Sequence, residues 1–357
     1  MRILIWGKSF PRMGGVERFV ANLARALVAR GDDVLVLADG QDTSAHDEPY
    51  PIVFLPMSET LMSRDPMQIL PLSQKVRKTI ADFNPDVIHF QSGGNDHFLI
   101  LQLQRSLPVP FVVTLHGSIG DLERAATSTA LLTAAASTTA VSAHIADNCI
   151  GGFSPRTILN AIPDPGPSRP PPQTGAILAL GRLAEEKGFT TLLSAMPMVL
   201  DAVPDARLTL AGRGPDKASL ADQIANLGLE SAVDLRDWFH PDAVHEAMSS
   251  ADMVVMPSHW HEPFGLVALE AAWAARPCIA SDMGGLPEIV ANGTTGTLVP
   301  AADPEALAKA ITAMLSDPQR ARTMGEAARE RAAACFPFDA MVDDYRACLA
   351  KAAQQSG

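Results

Sequence analysis

Short apolar runs alternate with helical stripes along the whole chain. In the first half the runs are RILIW (2–6), VLVL (34–37), IVFL (52–55), DVIHF (86–90), FVVTL (111–115), TTAV (138–141) and TIL (157–159). Between the first two, Phe19, Val20, Leu23, Ala24, Leu27 and Val28 recur at helical spacing, which predicts a helix over about 16–30. Gly31 stands where a helix C-terminus is commonly closed. Unbroken apolar strands with helices between them point to parallel sheets covered on both faces, because such strands have no solvated side.

The segment PDPGPSRPPPQ (163–173) interrupts this alternation. Proline removes backbone donors and fixes φ, so the segment reads as a stiff interdomain linker. A second series follows: AILAL (176–180), RLTLA (207–211), AVDL (232–235), MVVM (253–256), PCIA (277–280) and TLV (297–299). Helices are expected at about 188–200, 216–227, 265–275, 304–316 and 319–334, and an amphipathic one at 338–353. The expected fold is α/β, with two Rossmann-like doubly wound parallel-sheet domains facing a central cleft. Residues 1–165 form the N-terminal domain and 166–337 the C-terminal domain. Residues 338–357 return as a helix to pack on the first.

Composition supports two ordinary cores. Of the 357 residues, 47% are hydrophobic and 19% charged, so the chain is not disordered. The formal net charge is −12, which lacks the footprint of a general nucleic-acid binder. Any phosphate must then be met by a few placed cations. The cysteines Cys149, Cys278, Cys335 and Cys348 are widely spaced and form no CxxC pair, which suggests neither a zinc site nor a disulfide scaffold. Free thiols and an N-terminus that enters a strand directly lead to the expectation of a cytoplasmic protein. Residues 125–146 lack full charges but are mostly Ala, Ser and Thr, so they do not read as a membrane span. The basic stretch QKVRK (74–78) reads as a solvated helix face, with peripheral contact to anionic lipid as the rival reading.

In open parallel sheets, ligands bind beyond the carboxyl ends of strands. Gly14 and Gly15 follow RILIW, His116 follows FVVTL, Arg182 follows AILAL, Gly212 and Arg213 follow RLTLA, and Glu262 follows MVVM. All fall on that side. Glu270 lies early in the helix expected from about residue 265. Backbone N–H groups of Phe264, Gly265 and Leu266 at that helix start would attract an anion. Two carboxylates beside a diphosphate site suit a ligand rich in hydroxyls.

The run HEPFGLVALEAAWAARPCIASDMGGLPEIV (261–290) resembles the signature of glycosyltransferase family 4, retaining enzymes of the GT-B fold. GGVERFVANLARALVARGDDVLVL, PDVIHFQS, VVTLHG, LGRLAEEKGFTTLLSA and LAGRGPD resemble further family elements in the family's order. The resemblance implies a hexosyltransferase acting on a UDP- or GDP-linked sugar. Arg182 and Lys187 match the basic pair that holds the donor diphosphate. Glu262 matches the carboxylate on the sugar hydroxyls, and Glu270 the one on the ribose. His116 matches a histidine near the reacting sugar. By the same resemblance, the loop of Gly14 and Gly15 would face the donor phosphates and acceptor, and Gly212 and Arg213 match a loop near the nucleotide.

The resemblance further implies a sugar, lipid-linked or small-molecule acceptor, met through variable loops at about 8–18, 40–72 and 92–98. Cell-surface polysaccharide or glycolipid assembly is the commonest setting. No D-x-D motif is present, so a metal-bridged diphosphate is not expected, and no cofactor is implied. His89, His97, His259 and His261 lack ligand spacing for a metal. The sequence departs from the family at RDWFH (236–240), where a glycine is usual near Asp237, and at ILNAIP (158–163). Trp238 or Phe239 could shape a base pocket or serve a core. The rival readings are a GT-B phosphorylase or epimerase and a non-catalytic nucleotide-sugar-binding subunit. The presence of His116, Lys187 and Glu262 together favours the transferase.

Overall fold

The apolar runs become two parallel sheets. The computed structural model describes residues 1–7, 14–40, 47–92, 96–117 and 125–356. The chain forms two compact units, Met1–Ala161 with Phe338–Gly357, and Ile162–Pro337.

The first unit runs β1 (Arg2–Trp6), α1 (Gly15–Ala29), β2 (Asp33–Asp39), β3 (Ile52–Leu55), α2 (Met57–Ser63), α3 (Pro66–Phe83) and β4 (Val87–Ser92). It continues through α4 (His97–Gln104), β5 (Phe111–Leu115), α5 (Ala125–Ala134), β6 (Ser137–Ala140), α6 (Ala143–Asp147) and β7 (Arg156–Thr157). The sheet order is β3-β2-β1-β4-β5-β6-β7, and the paired strands are parallel. The strand order reverses between β1 and β4. Ile3, Leu4, Ile5 and Trp6 are all fully buried, as a central strand covered on both faces requires.

The second unit runs β8 (Ala176–Leu180), α7 (Phe189–Ala202), β9 (Arg207–Ala211), α8 (Lys217–Asn226), β10 (Val233–Arg236), α9 (Val244–Ser249) and β11 (Met253–Met256). Then follow α10 (Leu266–Trp273), β12 (Cys278–Ser281), α11 (Leu286–Ile289), β13 (Gly296–Val299), α12 (Pro304–Ser316) and α13 (Pro318–Cys335). Its sheet order is β10-β9-β8-β11-β12-β13, again parallel, with the reversal between β8 and β11. Side chains alternate across β8. Ile177 and Ala179 join one core with Leu192, Met196 and Ile311, while Leu178 and Leu180 join another with Met248 and Ala271. Three helices start at Asp-Pro pairs. The carboxylates of Asp65, Asp303 and Asp317 accept from Met67, Ala306 and Arg320 N–H, and the following proline needs no donor partner.

The chain ends in α14 (Phe338–Ala353), which lies in the first unit against α1, β4 and β5. Tyr345 is fully buried, with its ring 5.3 Å from both Phe19 and His89. Arg346 donates from Nε to Asp32 at 2.7 Å, and Asp32 also accepts from the N-terminal ammonium at 2.9 Å. Burial raises the Asp32 pKa, but the two cations outweigh it and leave the carboxyl below its ordinary value.

Segment 163–173 is fastened to the second unit rather than hanging between units. Arg276 is fully buried and donates to the carbonyls of Arg169 at 2.9 Å and Pro170 at 3.5 Å, as well as to Ser249, Ala274 and Ala275. Burial lowers its pKa to about 10, so it remains charged at neutral pH. Asp252 accepts the N–H groups of Gln173, Thr174 and Ala176. Asp164 takes Arg329 on both oxygens at 3.1 Å. The two compact units meet along the chain at Ala161/Ile162, so the whole of 163–173 lies in the second.

Met67, Leu70, Gln74, Arg77 and Lys78 lie on the outward face of α3, opposite buried Leu72, Val76 and Ile80. Among the described residues, no helix is long and apolar enough to cross a membrane.

Candidate active site

In the second unit, the expected donor residues gather where the strand order reverses. Arg182 and Lys187 follow β8, and Glu262 follows β11, the two strands that flank the reversal. Helices on opposite faces diverge from that point and leave the strand ends accessible.

Backbone bonds hold the first loop. Leu183 N–H donates to Arg213 O at 2.9 Å, and Asp216 N–H to Leu183 O at 3.0 Å. Gly212 packs so closely that an added Cβ would lie 1.9 Å from Gly181 O. Its close approach is therefore to the chain's own backbone. Gly188 has φ +66° and faces Pro257 O, which an added Cβ would meet at 1.8 Å. Only glycine fits both the conformation and the space. His259 completes the seam, with its N–H 2.9 Å from Glu186 O and its Nε2 2.7 Å from Thr191 Oγ1.

This seam brings Lys187 to Glu262. Nζ lies 2.6 Å from Oε1, and Ser258 Oγ donates to the same oxygen at 2.7 Å. Glu262 is buried, so an uncompensated charge there would be costly. Gly285 N–H donates to Glu262 O at 2.7 Å, which braces the loop from behind. Gly284, at φ +63°, runs so close that a Cβ would meet Glu262 N and O at 2.5 Å.

The loop then enters α10. Phe264 is buried against Phe336, with ring centroids 5.7 Å apart. Gly265 is the N-cap residue at φ +109° and offers no side-chain cap. Leu266 opens the helix, so the first N–H groups project beyond it with the positive end of the helix dipole. Glu270 is buried within α10. A cation, a carboxylate and a helix mouth thus adjoin in one loop system.

Arg182 and Arg213 are more open. The Arg182 side chain is 66% exposed and sits 3.5 Å from Glu186. Arg213 lies 3.6 Å from Asp237, and Lys217 also bonds that carboxylate. Lys217, with Arg213 adding to it, holds the Asp237 carboxyl below its ordinary pKa. The departure at Asp237 thus sets an acid beside an expected nucleotide-site cation. Phe239 packs on the β8 core under the Arg236 guanidinium, while Trp238 is half-buried.

The remaining expected residues belong to the first unit. Gly14 caps α1, Gly15 is its first residue, and His116 lies just beyond β5. His116 Nε2 is 2.7 Å from Gln91 Oε1, and its ring meets Phe19 edge-on at 4.9 Å. His89 is fully buried, which lowers its pKa to about 3, and its Nε2 lies 2.7 Å from Thr114 Oγ1. Among the described residues, no group of three or more His, Cys, Asp or Glu is placed to hold a metal. Of the expected acceptor loops, residues 8–13, 41–46 and 93–95 lie outside the described residues.

Sequence reasoning missed Gln91, Ser258 and the Gly284–Gly285 brace. A polar residue within an interior strand was a usable signal for Gln91. Ser258 and the glycines act through loop contacts that no periodicity encodes.

Comparison with known proteins agrees with this architecture. Residues 13–164 match the Glycosyltransferase Family 4 model, and residues 164–331 match that of Glycosyl transferases group 1. The chain is 32% identical to the glycogen synthase of Mycobacterium tuberculosis over 382 aligned residues, spanning 95% of this chain and 92% of that protein. It is 26% identical to a GDP-mannose-dependent alpha-(1-6)-phosphatidylinositol monomannoside mannosyltransferase of Mycolicibacterium smegmatis, spanning 89% and 90%. Among solved structures, sucrose-phosphate synthase from Thermosynechococcus elongatus matches at 25% identity and a TM-score of 0.81, covering 98% of this chain and 99% of that one. Anabaena HepE, solved with UDP and glucose, matches at 22% and 0.83, with the same coverage. The fold is GT-B, and by sequence and structure together the chain belongs to glycosyltransferase family 4.

Proposed function

We propose that this glycosyltransferase moves a hexose from a UDP- or GDP-linked donor to an acceptor hydroxyl, with retention at the anomeric carbon and without a metal. The observation that carries this reading is the contact of half-buried Lys187 with buried Glu262 beside the start of α10. The bound donor diphosphate would meet Arg182, Lys187 and the N–H groups around Phe264, Gly265 and Leu266. Lysine has three donors, so Lys187 can keep Glu262 while reaching a phosphate oxygen. Glu262 would accept from sugar hydroxyls and Glu270 from the ribose. Gly212 and Arg213 would border the nucleotide, and Gly14 and Gly15 the donor phosphates and acceptor.

In the reaction, the bond from the anomeric carbon to the phosphate oxygen breaks and the acceptor oxygen bonds to the same face. The acceptor proton passes to the departing phosphate oxygen. Negative charge grows on the diphosphate as it leaves, and fixed cations and amides stabilise it there. No protein nucleophile is required. His116 would orient the sugar or acceptor. HepE was solved with UDP and glucose, which supports a nucleotide-sugar donor. A lipid-linked acceptor at a membrane would bring in the outward face of α3, where apolar Met67 and Leu70 precede basic Arg77 and Lys78.

The test is a panel of UDP-, GDP- and ADP-hexoses with and without acceptors, in chelator, scored for free nucleoside diphosphate and for product anomer by NMR. Acceptor-dependent release with a retained anomer is expected. Binding without turnover would favour a non-catalytic subunit, and dependence on added divalent cation would overturn the metal-free reading.

A further inference from the structure

We propose that Gln91 is a positioning residue that fixes the tautomer and orientation of His116. The inference rests on the proposed role of His116 at the reacting sugar. Gln91 is the penultimate residue of interior strand β4, opposite Thr114 of β5, and is almost completely buried. A buried amide in an interior strand is costly unless its polar atoms are paired.

The two ends of the Gln91 amide have distinct partners. Its Nε2 faces His89 O at 3.5 Å, and a carbonyl can only accept, so the amide nitrogen belongs on that side. Oε1 is left facing His116 Nε2 at 2.7 Å. An amide oxygen only accepts, so His116 must carry its proton on Nε2. In the neutral ring Nδ1 then holds a lone pair, and any group bonded there must donate. A sugar or acceptor hydroxyl meets that requirement.

The ring is held from a second direction by Phe19, edge-on at 4.9 Å. Phe19 is itself backed by Tyr345 of α14. His89 does not compete for the proton, since its Nε2 pairs with Thr114, which pairs in turn with Thr139 at 2.8 Å. Gln91 thus joins the β4 backbone to the residue just beyond β5, with Phe19 steering the ring.

The test uses the full chain with 15N-labelled histidine and long-range 1H–15N NMR, with the His116 signals assigned by their loss in His116→Asn. The wild type should show the Nε2–H form. Gln91→Leu should relax His116 to a mixture and lower kcat about tenfold to a hundredfold, with donor KM changed far less. Gln91→Glu, which restores an acceptor, should restore the Nε2–H form. A wild-type ring protonated on Nδ1 overturns the proposal without any variant. So does a folded Gln91→Leu with an unchanged tautomer. If the wild type transfers no sugar, the functional reading fails, while the tautomer still decides whether Gln91 sets His116.

Discussion

The Lys187 ammonium lies 2.6 Å from Glu262 Oε1, joining the loop after β8 to the loop after β11 across the reversal of strand order. Neither residue stands alone, because Glu262 is buried and Ser258 supports the same oxygen. Lys187→Ala is therefore expected to act twice. Turnover should fall about a hundredfold to a thousandfold through loss of a fixed cation. The fold should also lose about 3 kcal/mol as a buried carboxylate loses its partner. Steady-state kinetics, UDP titration and urea unfolding separate the two effects. Unchanged turnover in a purified, folded variant would contradict the assignment.

Gly284 tests the brace behind Glu262. Alanine there would hold a strained φ of +63° and press its methyl onto the Glu262 backbone. Gly284→Ala should cost at least about 1 kcal/mol and lower turnover more than UDP affinity, because the displaced atoms belong to the proposed sugar side. Gly293→Ala is the control, since φ there is +76° with nothing within 4 Å of the added carbon. Equal turnover in the two variants would argue against the brace.

Asp32 ties the N-terminus to α14 and supplies a pH dependence. Its folded pKa is depressed, so its contribution is present above the unfolded carboxylate value of about 3.9 and is lost as pH falls through the folded value. Asp32→Asn should cost about 1 kcal/mol at pH 7, because the cations it leaves behind, Arg346 and the N-terminal ammonium, reach solvent. The gap between wild type and variant in urea midpoints should close progressively below about pH 4. A gap that stays constant down to pH 2 would remove the electrostatic account.

Arg276 tests the fastening of segment 163–173. Arg276→Met keeps much of the apolar stem but leaves the carbonyls of Arg169, Pro170 and Ser249 without this donor. Limited proteolysis should then cut within 163–173 several times faster than in wild type, at native far-UV signal. Identical cleavage kinetics would mean that the other bonds alone hold the segment.

Much of the fold was legible along the chain. Central strands such as RILIW and AILAL are buried on both faces, so a continuous apolar run records them directly. The 304–316 and 338–353 helices were read to the residue, since a period near four survives in sequence. Pattern said less about β7, where TIL at 157–159 became Arg156–Thr157, an exposed pair with partners on β6 alone. It also gave no sign that buried Arg276 and Asp252 hold the proline-rich segment, since those bonds come from residues lying 107 and 78 positions further on.

The sequence by itself determined the alternation of strands and helices, and hence a doubly wound α/β chain with chemistry-bearing residues past the strand ends. That information is local, carried by the spacing of apolar side chains and by residue type. Tertiary structure alone decided that Lys187 meets Glu262, that Gln91 meets His116, and that Gly284 supports the Glu262 loop ahead of α10. Those contacts join residues far apart in the chain, and their partners are chosen by strand order, loop path and the space a missing Cβ leaves.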